Sequence, residues 1–142
     1  MPDAALHTLT LHELRDALRD GSCTSRDIVD SVLSAIAARD NTLHAYLHVD
    51  ADRARAAADA ADQARGEGAA GPLLGLPVAL KDLLSVAGQP CGCASRILEG
   101  YTAPYDATVV ERLRSAGAVL VGRTNMDEFA MGSSNENSAY GP

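Results

Sequence analysis

The stretch GLPVALKDLLSV, residues 75–86, combines the pattern of a buried strand with a single lysine. Its residues alternate so that Val78 and Leu80 fall on one face of a strand over 77–81 and Lys81 falls on the other. The sequence has 12 basic residues, and Lys81 is the only lysine among them. Because an amine can give up a proton where a guanidinium cannot, this position is a candidate for proton transfer.

A second strand is predicted further along the chain. An irregular segment rich in Gly, Cys and Pro leads to a predicted helix over 106–115, which Gly117 ends. The run AVLV at 118–121 then has the composition of another buried strand. A strand, a crossover that contains a helix and a further strand are together typical of a parallel sheet.

The last part of the chain is predicted to form a short helix over 125–131 and then a polar loop. Two parallel strands cannot cover both faces of a doubly wound sheet, so we expect residues 71–142 to be the start of an α/β core. We therefore expect the chain to be an N-terminal fragment of one domain, truncated after its first strands.

Residues 1–70 are predicted to be mainly helical. Thr10 and Glu13 have the spacing of a capping box, and Asp50 can cap the alanine-rich segment that follows it. Alternating apolar and polar residues after the second helix indicate a short half-buried strand. The predicted elements are helices over 10–20, 24–39 and 51–65 and a strand over 43–49.

Composition excludes several classes of protein. The formal charge is −7, and no cluster of arginine is interleaved with aromatic residues, which argues against a nucleic-acid-binding surface. Three cysteines, with two of them spaced C-G-C, fit neither a disulfide framework nor a common zinc pair. Residues 1–10 lack the basic flank and apolar core of a secretion signal, and no apolar run reaches the length of a membrane span. We expect a reduced, cytoplasmic protein.

Two interpretations of Lys81 remain open from the residues alone. Burial disfavours the charged form of an amine, so a lysine within an apolar layer at the end of a strand could act as a base near neutral pH. Alternatively, Lys81 has a structural role and pairs with Asp82, Glu128 or another acid. The second arrangement is the commoner one for lysines in general.

Other reactive side chains give weaker signals. Cys91 and Cys93 are more typical of packing than of nucleophiles, since no histidine follows them to act as a base. His44 and His48 are four residues apart in a segment predicted to be a strand, where that spacing does not converge on a metal. The loop 132–138 fits a turn-rich connection and a substrate-holding loop equally well.

Four stretches resemble the N-terminal part of the amidase signature family. They are GLPVALKD (75–82), CAS (93–95), DATVVERLRSAGAVLVGRTN (106–125) and MDEFAMGSSNENSAYGP (126–142). The resemblance implies the amidase signature fold, a parallel or mixed sheet covered by helices. It also implies a Ser, cis-Ser and Lys triad in which Lys81 is the lysine, while Met131 and Ser133 line the substrate pocket. The two serines of the triad are expected beyond residue 142.

Within that family, the last stretch is similar to the branch that supplies ammonia for tRNA-dependent amidation. This implies glutamine as the substrate, two further subunits as partners, a mischarged tRNA held by a partner, and ATP used by the complex. No cofactor or metal is expected in this segment, and no membrane. Because the serines are missing, we expect the 142-residue polypeptide to be inactive alone. The alternatives are a fragment of a general amidase for small amides and a noncatalytic helical interaction module.

Overall fold

The computed structural model describes residues 5–142 and has the mixed α/β architecture that the sequence predicts. Single 3-10 turns lie at Leu6–Thr8, Arg96–Leu98 and Glu128–Ala130. The helices are α1 (Leu11–Asp20), α2 (Ser25–Leu43), α3 (Ala51–Gly66) and α4 (Thr108–Ser115), and the strands are β1 (Tyr46–His48), β2 (Pro77–Lys81) and β3 (Val119–Thr124).

The three strands form one sheet with the order β1-β3-β2. β1 is antiparallel to β3, with Tyr46 opposite Thr124. β2 and β3 run in the same direction, because Val119 N donates to Leu76 O at 2.8 Å and Asp82 N donates to Thr124 O at 3.2 Å. The predicted parallel pair of strands is therefore confirmed, and β1 makes the sheet mixed.

The described residues fall into two compact units. The first contains the chain up to Arg39 together with 50–78 and 113–121, and the second contains 40–49, 79–112 and 122–142. A buried apolar cluster forms in the first unit, where α1 and α2 contribute their leucine and isoleucine faces. Its buried members are Leu14, Leu18, Ile28 and Leu76.

Helices α1 and α3 in the first unit begin at the capping residues that the sequence predicts. Thr10 and Glu13 form the reciprocal capping box at the start of α1, and Gly21 ends that helix with left-handed backbone at φ 77°. Asp50 Oδ1 accepts a hydrogen bond from Arg53 N at the start of α3. The alanine face predicted for α3 is confirmed, since Ala54, Ala58 and Ala61 are buried.

Two predicted elements are shorter than the sequence pattern indicates. Of the strand predicted over 43–49, only Tyr46–His48 forms, because α2 continues to Leu43 and ends where His44 adopts left-handed backbone. The helix predicted over 125–131 is reduced to a single 3-10 turn. Phe129 and Ala130 take left-handed φ angles of 50° and 62°, which no α-helix can continue.

None of the helices between residues 5 and 142 is long and apolar enough to cross a membrane. The expectation that residues 1–10 carry no secretion signal falls partly on residues 1–4, which lie outside the described part of the chain.

Candidate active site

Lys81 is the last residue of β2 and its side chain is exposed. Residues on the same face of the strand, Ala79 and Leu83, are exposed as well, whereas Leu80 and Asp82 on the other face are buried. The predicted alternation is therefore confirmed, but the prediction that Lys81 enters an apolar layer is wrong for this chain. The described residues cover only the opposite face of β2.

The structural alternative, in which Lys81 pairs with an acid, is not realised among residues 5–142. No hydrogen bond or ion pair joins its amine to any other residue between 5 and 142. The two acids proposed as its partners are engaged elsewhere: Asp82 pairs with Arg123, and Glu128 accepts a hydrogen bond from Ser95. Lys81 thus offers an unpaired amine at the carboxyl end of a parallel strand, where α/β sheets bind their ligands.

Asp82 organises the backbone next to Lys81. Its side chain is only 5% exposed. Oδ2 accepts hydrogen bonds from Gly92 N at 3.0 Å and from Ala94 N at 3.3 Å. Oδ1 faces Arg123 Nε at 3.4 Å, and this guanidinium is 1% exposed. Asp82 therefore places a buried negative charge between the end of β2 and the 92–94 segment.

The 91–95 loop turns sharply around this carboxylate. Cys93 and Ala94 adopt left-handed φ angles of 51° and 52°, which are uncommon for residues other than glycine. The backbone of Asp82 supports the turn, since its carbonyl accepts a hydrogen bond from Cys93 N at 3.1 Å. The amides of Gly92 and Ala94 thus converge on the Asp82 carboxylate, while the amide between them binds the Asp82 carbonyl.

The cysteines of this loop have the environment of packing residues. Cys91 is buried, and its Sγ donates to the carbonyl oxygen of Asp82 at 3.5 Å. Burial, more than the nearby Cys91 and Asp82, raises the pKa of the Cys93 thiol. A raised pKa disfavours the thiolate that a nucleophile requires. The interpretation of both cysteines as packing residues is therefore supported.

A second strained turn packs against the first. Phe129 N donates to Cys93 O at 3.0 Å. Ser95 is fully buried and its Oγ donates to Glu128 Oε1 at 2.5 Å. The turn at 128–130 thus holds the 91–95 loop from the side of β3.

Asp127 organises the polar loop that follows. The residue is 5% exposed, and its carboxylate accepts hydrogen bonds from Ser134 N, Asn135 N and Asn137 N at 3.1, 2.9 and 3.0 Å. The amide of Asn137, followed by that of Asn135, holds the pKa of this carboxyl below its ordinary value. The conformation of the loop is therefore explained by one buried acid.

The predicted substrate-binding residues lie on the outside of this loop. Met131 is 80% exposed and Ser133 is exposed. Neither is joined to Lys81 by a hydrogen bond within the described residues. A cavity of about 160 Å³ in the same unit is lined by Asp82, His48, Tyr101 and Tyr140 among others, but not by the three predicted site residues. Their assignment to a site stays a prediction.

The described residues contain no cluster of three or more His, Cys, Asp or Glu side chains that could hold a metal ion. His44 is exposed and His48 is half-buried.

Comparison with known proteins identifies the family of this chain. The amidase family model matches residues 27–142. The chain belongs to the amidase signature family. The A subunit of glutamyl-tRNA(Gln) amidotransferase from Corynebacterium diphtheriae is 51% identical over all of this chain, and its counterpart from Chromohalobacter salexigens is 53% identical over 96% of it.

Solved structures of amidase signature enzymes share the fold. Peptide amidase from Stenotrophomonas maltophilia has a TM-score of 0.80 at 35% identity and covers 87% of this chain. The A subunit of glutamyl-tRNA(Gln) amidotransferase from Thermotoga maritima has a TM-score of 0.76 at 33% identity and covers all of it. The chain spans 29% and 28% of the length of the two curated relatives named above.

Sequence reasoning did not find the two buried carboxylates that shape this region. The sequence suggests Asp82 only as a partner of Lys81, and it predicts a helix over 125–131 that contains Asp127. Arg123 gave a usable signal, because an arginine within the buried strand pattern of AVLVGRT requires a buried counter-charge.

Proposed function

We propose that this chain is the lysine-bearing part of a glutamine-hydrolysing amidotransferase subunit, with Lys81 as its proton-transfer residue. The observation that carries the proposal is the exposed amine of Lys81 at the end of β2, which has no hydrogen bond or ion pair to any residue in the described range 5–142. Asp82 and Glu128, the two acids considered as its partners, are bonded to Arg123 and Ser95 instead. The similarity to proteins named as the A subunit of glutamyl-tRNA(Gln) amidotransferase supports this choice of substrate.

The chemistry requires two hydroxyl groups in addition to the lysine. One serine hydroxyl attacks the side-chain amide carbon of glutamine, and its proton passes through a bridging serine to the neutral amine of Lys81. The lysine returns the proton to the departing nitrogen, which leaves as ammonia. Water then releases glutamate from the serine ester. We propose that both serines come from sequence outside these 142 residues.

The same outside sequence would have to cover Lys81. A neutral amine is favoured by burial, and in this chain the face that carries Ala79, Lys81 and Leu83 is exposed. We propose that residues beyond this chain pack on that face, and that Met131 and Ser133 become part of the pocket wall there. Their exposure leaves both side chains available for such contacts.

The assembly follows from the same proposal. The ammonia would pass to a partner subunit that activates the carboxylate of a mischarged tRNA with ATP, within a complex of three subunits in the cytoplasm. This segment would itself bind neither ATP nor any other cofactor.

The test uses the complete gene product that contains these residues. We expect it to release ammonia from glutamine and expect Lys81→Arg to abolish this activity, because arginine keeps the charge but cannot deprotonate. Turnover by the Lys81→Arg variant at the wild-type rate would overturn the proposal. The 142-residue polypeptide is expected to release no ammonia, and measurable turnover by it would contradict the proposed location of the serines.

A second candidate is a general amidase that acts on small amides. The similarity to peptide amidase favours it, because that enzyme shares the fold at a TM-score of 0.80. Measuring the complete gene product with glutamine and with simple aliphatic and aryl amides separates the two. Preference for the simple amides would favour the second candidate, and preference for glutamine the first.

A further inference from the structure

The ion pair between Asp82 and Arg123 is poorly explained as a source of stability. Both side chains are almost completely buried, at 5% exposure for Asp82 and 1% for Arg123. They share one contact at 3.4 Å, and neither Nη1 nor Nη2 of Arg123 has an acceptor among residues 5–142. Buried ion pairs seldom stabilise a fold more than apolar residues of the same shape, and unsatisfied donors add a further cost.

The pair does, however, fix the backbone around Lys81. Asp82 follows Lys81 directly, and its own amide and carbonyl are bonded to Thr124 O and Cys93 N. Its carboxylate holds the amides of Gly92 and Ala94. The backbone of Asp82 is thus hydrogen-bonded to both β3 and the 91–95 loop, and its side chain is hydrogen-bonded to the same loop.

We propose that Asp82 and Arg123 form a positioning pair, which fixes the direction in which the Lys81 side chain projects from the end of β2. The Asp82 side chain lies on the buried face of the strand, and Lys81 is the preceding residue on the opposite face. Because the two residues share a peptide bond, fixing Asp82 also fixes the position of the Lys81 Cα and the direction of its Cα–Cβ bond. The contact with Arg123 Nε holds the Asp82 carboxylate in its orientation toward the two loop amides. The inference rests on the proposed function, because it concerns the geometry of the same proton transfer.

Position matters strongly in such a transfer. Catalytic groups must be held within roughly 0.5 Å of the productive geometry, and a displacement of about 1 Å can lower turnover by around 100-fold. A positioning pair therefore predicts a loss of kcat with little change in KM. A pair that only stabilises the fold predicts a change in the free energy of unfolding, without a loss of kcat at constant KM.

The first test replaces the ion pair by a neutral one. In the complete gene product, Asp82→Asn combined with Arg123→Gln keeps an acceptor for the loop amides and leaves no unpaired charge. We expect the unfolding midpoint to stay close to that of the wild type, while kcat for glutamine falls by about 10-fold to 100-fold and KM stays within about 3-fold. A folded double variant with wild-type kcat would overturn the proposal.

A second variant tests the same idea without removing any charge. A Cβ at Gly92 would lie 3.3 Å from Asp82 Oδ2, so Gly92→Ala pushes the carboxylate by a few tenths of an ångström. We expect kcat to fall several-fold. Gly66→Ala is the matched control, since nothing lies within 4 Å of its Cβ position, and we expect it to leave kcat unchanged. If the double variant does not fold, wild-type kcat in Gly92→Ala overturns the proposal.

Lys81→Ala separates this inference from the function on which it rests. If Lys81→Ala retains turnover, the proposed function fails and the positioning role fails with it. If Lys81→Ala is inactive while the pair variants and Gly92→Ala keep wild-type kcat, the positioning role alone is wrong.

Discussion

Ser95 Oγ donates a hydrogen bond of 2.5 Å to Glu128 Oε1 and thereby joins two turns that are 33 residues apart in sequence. Each turn contains two consecutive non-glycine residues with left-handed backbone, at 93–94 and at 129–130. Such backbone persists only where surrounding contacts hold it in place. The Ser95 to Glu128 bond is one of those contacts, so the two turns are expected to form and unfold together.

Removal of this contact is expected to lower the stability of the folded protein. In Ser95→Ala, Glu128 loses a donor and Ile97 N loses its acceptor at 3.2 Å. We expect the free energy of unfolding to fall by about 1–3 kcal/mol, measured by urea unfolding followed by circular dichroism. Ser133→Ala removes the same atom from an exposed position and should change stability by less than about 0.5 kcal/mol. Equal losses in both variants would show that the hydrogen bond contributes nothing.

Gly117 is a second position where a small change is expected to have a large effect. Its φ is +91°, and a Cβ there would lie 2.7 Å from the Cα of Leu74. Gly117→Ala therefore combines left-handed strain with a clash against backbone, and we expect the free energy of unfolding to fall by about 2–4 kcal/mol. Thermal unfolding beside the Gly66→Ala control checks this. A Gly117→Ala variant as stable as that control would contradict it.

The elements that sequence predicts well are those specified by nearby residues. The capping box of Thr10 with Glu13 and the left-handed Gly21 mark both ends of α1, and each acts within its own turn. The sequence predicts β2 and β3 for the same reason, since an apolar run between turn residues is a local signal. The parallel pairing then follows from the length of the crossover.

The elements that sequence predicts poorly depend on distant partners. NMDEFAM has the composition of a helix, but Asp127 instead holds amides seven to ten residues away and the chain turns at Phe129. Alternation placed Lys81 on the correct face of β2 but could not show which face these residues cover. The resemblance to amidases identified Lys81, whereas the Asp82 to Arg123 pair required coordinates.

The apolar cluster of the first unit provides a further prediction. Ile28 is fully buried against Leu14, Leu18 and Leu76, so Ile28→Ala leaves a cavity. We expect a loss of about 2–5 kcal/mol in the free energy of unfolding, measured by denaturant titration. Leu43→Ala is the matched control on the same helix, because Leu43 is 61% exposed and its truncation should cost less than about 0.5 kcal/mol. Similar losses would contradict the assigned core.

Acid should release the loop that Asp127 holds. Three backbone amides favour the charged carboxylate and lower its pKa in the folded protein, so its contribution to stability is complete above the ordinary aspartate pKa of about 4. That contribution is lost as the pH falls through the lower folded value. We expect Asp127→Asn to be less stable than the wild type at pH 7 and to lose less stability between pH 5 and pH 2, measured by thermal unfolding across that range. Asp52→Asn, at a fully exposed position, should follow the wild-type curve. Parallel curves for Asp127→Asn and wild type would show that this carboxyl does not couple the loop to pH.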